Sequence, residues 1–219
     1  MRAKFSRAVG PGGAFPEGAR AEVIFCGRSN VGKSSLLNAL TGVQGLARTS
    51  KTPGRTREIH FYEEGVDRFL VDLPGYGYAK VSQAARRAWG LLVDSYLARA
   101  DRVALAILLV DARHPPFDTD LMLAQSLASR GIPFIVALTK GDKATMSERT
   151  RSHALVRASI ASAQACVLTS SKTGAGMREL AGRIDRAVQE ARSGHGAGHL
   201  IPPARPGGRR GLEGRRRTR

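Results

Sequence analysis

The chain has 219 residues, is 42 % hydrophobic and carries a formal net charge of +17. That length suits one domain with tails and can bury a substantial core, and no apolar run approaches the roughly 20 residues of a membrane-spanning helix. The two cysteines, Cys26 and Cys166, each end an apolar run and read as small core residues in a reducing compartment, not as a disulfide framework. The charge surplus favours a polyanionic partner, most often nucleic acid, and says little about fold. It is uneven: residues 192–219 hold +7 and the remainder +10, so both parts are basic.

Residues 1–20 are basic and rich in Gly and Pro, lack an apolar stretch of signal-peptide type, and read as a mobile arm. From 21 to 191, short apolar runs alternate with helix-like stretches. Strands are predicted at 21–26, 57–62, 68–72, 103–110, 132–138 and 165–168. Helices are predicted at 33–42, 82–99, 117–130, 147–163 and 176–190. Most of the strand runs are almost continuously apolar, as expected when helices cover both faces of a parallel sheet; 57–62 alternates more and suits an edge strand. The pattern predicts a doubly wound α/β domain. Beyond 192 the composition collapses to Gly, Pro and Arg and reads as a disordered basic tail. His195 and His199 have a helical metal spacing, but glycines at 194, 196 and 198 argue against a helix and a metal there.

The first predicted strand runs into Gly27-Arg28-Ser29-Asn30-Val31-Gly32-Lys33-Ser34-Ser35. Strand, glycine-rich turn, then helix is the context of a phosphate-binding P-loop. The glycines let backbone N–H groups approach the anion, which sits at a helix N-terminus. Lys33 would reach the β- and γ-phosphates and Ser34 would ligate Mg²⁺. The polar stretch 48–58, with Pro53 and Gly54, is the kind of segment that orders with a triphosphate. Thr49, Thr52 and Thr56 all qualify there as Mg²⁺ ligands.

Asp72-Leu73-Pro74-Gly75 follows at a predicted strand end. Asp72 would hold the Mg²⁺ shell, and Gly75 would bring a backbone N–H to the γ-phosphate. Thr139-Lys140-Gly141-Asp142 closes another apolar run. A carboxylate there can accept from the N1–H and N2–H₂ edge of guanine, which adenine lacks. Leaving such groups unpaired costs roughly 1–3 kcal/mol each, enough to set base preference. Thr139 stands where GTP-binding proteins more often have Asn, which predicts one weakened contact to the base. Thr169-Ser170-Ser171 sits where a loop would support the guanine. Two other classes stay open on these residues: a small-molecule kinase, which Asp142 opposes, and an RNA-binding protein whose nucleotide is mainly structural.

GRSNVGKSS, SKTPGRT, DLPGYGYAK, VDARHPP, TKGDK and TSSK together resemble the EngB (YihA/YsxC) GTPases, of the TrmE–Era–EngA–EngB–septin-like group, over about residues 5–190. The resemblance implies a Ras-like P-loop GTPase fold, a six-stranded mostly parallel sheet with five helices on its two faces. It implies GTP binding, slow Mg²⁺-dependent GTP hydrolysis in the cytoplasm, and assembly of the large ribosomal subunit with ribosomal RNA as partner. A need in division septum formation, through that role, belongs to the same picture; a GTPase switch acting on another RNA or partner is the alternative. It selects Thr56, within Gly54-Arg55-Thr56-Arg57-Glu58, as the switch threonine on Mg²⁺, and with Lys33 and Gly75 as the catalytic set. Asn30 matches a P-loop position where related GTPases bind K⁺, which makes K⁺ a candidate second cation. Tyr76 occupies the place of the water-orienting glutamine of Ras-type enzymes, where a phenol is a poor substitute. Lys80, Arg86 and Arg87 would sense nucleotide state and touch RNA, or form a solvated face.

Overall fold

In a computed structural model, residues 3–17, 20–47, 58–76 and 83–196 are described. Seven strands form one sheet: β1 (Ala3–Val9), β2 (Ala21–Gly27), β3 (Ile59–Glu64), β4 (Arg68–Asp72), β5 (Val103–Asp111), β6 (Phe134–Thr139) and β7 (Cys166–Leu168). Five helices accompany them: α1 (Lys33–Thr41), α2 (Gln83–Leu97), α3 (Asp118–Ser129), α4 (Met146–Ser159) and α5 (Met177–Gly196). The strand order is β1-β3-β4-β2-β5-β6-β7. β1, β3 and β4 pair antiparallel, while β4, β2, β5, β6 and β7 pair parallel.

The central strands are buried on both faces, and their side chains alternate between two cores. Ile24 and Cys26 of β2 and Ala106, Leu108 and Val110 of β5 join a core roofed by α2, α3 and α4. Val23, Phe25, Leu105, Ile107 and Leu109 join a second core with Leu36 and Leu37 of α1 and Leu180, Ile184 and Val188 of α5. Period-2 alternation sorts these runs onto two apolar layers, which is why they lack the polar face of an exposed sheet. β2 lies between β4 and β5, so the chain winds away from it in both directions. Loops from the carboxyl ends of β2, β4, β5, β6 and β7 then open on one edge, where doubly wound sheets bind ligands. Cys26 is sealed in, and burial pushes its thiol up to about 12.

Two expectations change at the N-terminus. Residues 3–9 are a strand, not part of a mobile arm, and the sheet has seven strands rather than six. β1 pairs along β3 from Ala3↔Glu64 to Val9↔Ile59, so 57–62 is no edge strand; β3 itself spans 59–64. Only Ala3 and Val9 of β1 are buried, so it shows no continuous apolar run. Cross-strand contacts hold it instead: Ser6 donates to Glu63 at 3.2 Å, Lys4 pairs with the same carboxylate at 3.1 Å, and Phe5 stands edge-on to Tyr62 at 5.9 Å. Residues 10–17 are also pinned, with Phe15 edge-on to Tyr96 at 5.5 Å and Arg99 donating to Pro16 O at 3.0 Å.

The last helix also outruns its expected end at 190. α5 continues to Gly196, so residues 192–196, His195 included, are helical rather than tail. Ion pairs tie it to β4 and the turn before it: Arg68 to Asp185 at 2.6 Å within the expected helix, and Arg192 to Asp67 at 2.7 Å in the extension. The expected tail beyond 196, with His199, lies outside the described residues. So do most of the 48–58 segment, including Thr49, Thr52, Gly54, Arg55, Thr56 and Arg57, and also Gly77, Tyr78, Lys80 and the side chains of Arg86 and Trp89. Among the described residues no helix is long and apolar enough to cross a membrane.

Candidate functional site

The loop between β2 and α1 is shaped by crowding and by positive-φ residues. A Cβ on Gly27 would lie 2.8 Å from Leu109 O, so the chain leaves the sheet through a gap only glycine fits. Asn30 has φ 62 and Gly32, capping α1, has φ 109. A non-glycine residue in the left-handed region marks a constrained loop. α1 carries no acidic residue in its first turn, which leaves its N-terminal dipole open to an anion. Lys33 opens the helix, and its ammonium is bound to the buried Asp72 carboxylate at the end of β4. Ser34 and Ser35 follow on the same turn.

The segment after β4 lies directly on this loop. Leu73 N donates to Phe25 O at 3.0 Å, and Pro74 leads to Gly75, where a Cβ would sit 2.9 Å from Ser29 Cα. Ser29 N donates to Tyr76 O at 2.9 Å, and Arg28 and Tyr76 form an isolated parallel bridge. Gly75 therefore approaches the loop as closely as backbone can.

From β6 comes a second anchor. Thr139 is buried, and its hydroxyl donates to Val31 O at 2.6 Å. The residue that departs from the usual Asn thus spends its polar atom on the shape of the phosphate loop. Lys140, at φ 58, reaches Asn30 O at 2.6 Å and Asp111 at 2.9 Å. Burial acts to raise Asp111, but the Arg113 guanidinium (2.7 Å) and the Lys140 ammonium outweigh it and hold the carboxyl well below the usual range.

Asp142 lies in a single 3₁₀ turn, Gly141–Lys143. Gly141 N donates to Thr169 O at 2.9 Å, and a Cβ on Gly141 would press to 3.2 Å from Leu168. The Ser170 hydroxyl donates to Asp142 Oδ1 at 2.6 Å and holds that carboxyl below its ordinary value. Ser170 Oγ in turn accepts from Thr173 N at 3.1 Å. Thr169 and Ser170 are buried and Ser171 is exposed. The β7–α5 loop is folded against β7 so tightly that a Cβ on Gly176 would overlap Leu168 O.

The sequence motifs beginning at Gly27, Asp72, Thr139 and Thr169 thus meet on one edge of the sheet, while Thr56 and its neighbours lie outside the described residues and Glu58 is exposed just before β3. Sequence reasoning missed Asp111, Arg113 and Asp120 as parts of this edge. Asp111 carries one signal, an acid closing an apolar run; Asp120 reads only as a residue of a helix's first turn.

A glycine-rich loop running into a helix, a strand-end aspartate bound to its lysine, and a carboxylate on the turn after β6 are the arrangement of a P-loop GTPase. The family model for the 50S ribosome-binding GTPases matches residues 22–140. The probable GTP-binding protein EngB of Chlorobium luteolum is 41 % identical over 201 residues, covering 92 % of this chain and 97 % of that protein. That of Thermotoga maritima is 46 % identical over 181 residues, covering 81 % and 92 %. The crystal structure of a probable GTP-binding protein EngB superposes with a TM-score of 0.66 at 26 % identity, over 78 % of this chain and 100 % of that one. The chain belongs to the EngB family of GTP-binding proteins, and its reaction is GTP hydrolysis.

For a guanine read by Asp142, the Ser170–Asp142 bond would set an acid limit on binding. A depressed pKa keeps the carboxylate ionised, and able to accept from guanine, down to lower pH. Ser170→Ala removes the main cause of that depression, so affinity for a fluorescent GDP should weaken, and on acidification should fall at a higher pH than in the wild type. Superimposable pH profiles would show that the hydroxyl does not govern Asp142.

Proposed function

We propose that this GTPase is a nucleotide-gated switch in assembly of the large ribosomal subunit, working as a cytoplasmic monomer, with any effect on division septum formation following from that role. The observation that carries the reading is the direct seating of Gly75 and Tyr76 on the phosphate loop at Ser29. A change of phosphate number there is passed straight to the segment that follows. The partner is argued from charge and family. Residues 48–57, between α1 and β3, hold four basic and no acidic residues, and residues 197–219 hold seven Arg and one Glu. Such segments favour RNA phosphates and make binding steeply salt-dependent. The family model's own description is of ribosome-binding GTPases.

In this reading Lys33 neutralises charge on the β- and γ-phosphates, the Gly75 amide meets the γ-phosphate, and Asp142 accepts from the guanine edge. Catalysis is attack of water on the γ-phosphate, driven by positioning and charge neutralisation. The donors near Lys33 are hard oxygens, the Ser34 hydroxyl and the Asp72 carboxylate, which fit Mg²⁺. Among the described residues no three His, Cys, Asp or Glu side chains are placed to hold a metal unaided, so these two, with Thr56, would hold Mg²⁺ alongside phosphate oxygens. The ion would supply charge to the β- and γ-oxygens. Asn30 is exposed beside the loop, where a K⁺ ion would offset developing phosphate charge.

Sucrose-gradient sedimentation of large-subunit precursors with the protein in GDP and in a non-hydrolysable GTP analogue, at two salt concentrations, tests the switch. Co-sedimentation that depends on the analogue is expected. Equal binding in both states, lost uniformly with salt, would leave a basic protein adhering to RNA. Hydrolysis should run faster in KCl than in NaCl at equal ionic strength; equal rates would remove K⁺ from the account.

A further inference from the structure

Tyr76 follows Gly75 directly, and its side chain is buried with its hydroxyl on α3. The ring is 8 % exposed, and its hydroxyl donates to Asp120 Oδ1 at 2.7 Å. Asp120 lies in the first turn of α3 and is 1 % exposed; its other oxygen accepts from Phe117 N at 2.9 Å. Burial raises the Asp120 carboxyl, and the same burial, with the acid beside it, raises the Tyr76 phenol far above its ordinary value. The neighbourhood is braced from outside by the Arg28 guanidinium, 3.6 Å from the centre of the Phe117 ring. Tyr76 is thus gripped twice: its backbone by Ser29 of the phosphate loop, its side chain by Asp120 of α3.

A buried carboxylate is costly unless hydrogen-bonded, so the Tyr76 hydroxyl and Asp120 hold one another. A phenol that donates to Asp120 has no proton left to donate to a water at the γ-phosphate. Its use is mechanical: both grips fall on Tyr76, the residue next to Gly75, and so limit how the Gly75 backbone can turn.

We propose that Asp120 is a positioning residue for GTP hydrolysis, acting through the Tyr76 hydroxyl to fix the Gly75 amide beside the phosphate loop. The proposal rests on the reading of Gly75 as the γ-phosphate contact. It assigns α3 a part in the reaction without a contact to the nucleotide.

Single-turnover hydrolysis, and affinities for fluorescent GDP and a fluorescent GTP analogue, are compared for wild type, Tyr76→Phe, Asp120→Asn and the double variant. Tyr76→Phe keeps the ring and removes only the hydroxyl, so its fold is the least at risk. Hydrolysis and GTP-analogue affinity should each fall about tenfold, the scale of one hydrogen bond to a charged group. GDP affinity should stay within about twofold, and the double variant should be no worse than either single one. Equal losses for both nucleotides, additive losses, or hydrolysis unchanged in Tyr76→Phe would overturn the proposal. Gly75→Ala tests the underlying reading separately. If it spares analogue binding, both readings fall; if it abolishes analogue binding while Tyr76→Phe behaves as wild type, the Asp120 proposal alone falls.

Discussion

Beyond its positive-φ residues and one internal bond, Val31 N to Arg28 O at 3.2 Å, the phosphate loop is held by hydrogen bonds from the other motifs. Val31 O receives the Thr139 hydroxyl, Asn30 O the Lys140 ammonium, Ser29 N donates to Tyr76 O, and Lys33 is bound to Asp72. The partners arrive from the ends of two strands and the segments beyond them, Thr139 and Lys140 from β6 and Asp72 and Tyr76 from β4. The base-reading turn and the segment near the γ-phosphate are therefore joined through the loop between them. A nucleotide that reshapes the loop alters both, and neither can move without straining it.

That convergence follows from burial. β2 and β5 are covered on both faces, so their position is fixed by apolar area removed from water, at about 25 cal/mol per Å². Polar groups gather at the carboxyl ends, and there the surrounding core makes charges expensive unless paired. Asp72 answers to Lys33, Asp111 to Arg113 and Lys140, and Asp120 to Tyr76 and a backbone amide. The site is a set of compensated charges at the rim of an apolar slab, and in the proposed reading the nucleotide's phosphates and base would enter that network as new partners.

Much of this was legible beforehand because period and chemistry coincide. Runs such as Val103–Val110 are too apolar to be anything but buried strands, and Gly-x4-Gly-Lys-Ser after such a run has one common meaning. What the pattern hid is what depends on tertiary partners. β1 is nearly half charged or polar and becomes a strand because Glu63 and Tyr62 wait on β3. The end of α5 defies its glycines because Arg192 finds Asp67. Thr139 reads as a weakened base contact until its hydroxyl is seen to face Val31 O. Asp120 is silent in sequence, since an acid in the first turn of a helix is commonplace and its partner lies 44 residues away.

The central claim is that loop and switch respond as one body. Amide hydrogen exchange over residues 28–33 and 72–76, compared between GDP and a non-hydrolysable GTP analogue, tests it most directly. The account requires both segments to change protection together on exchanging one nucleotide for the other. Protection that changed in the phosphate loop while residues 72–76 stayed the same would contradict it, and would leave the bond between Ser29 and Tyr76 a static feature of the fold.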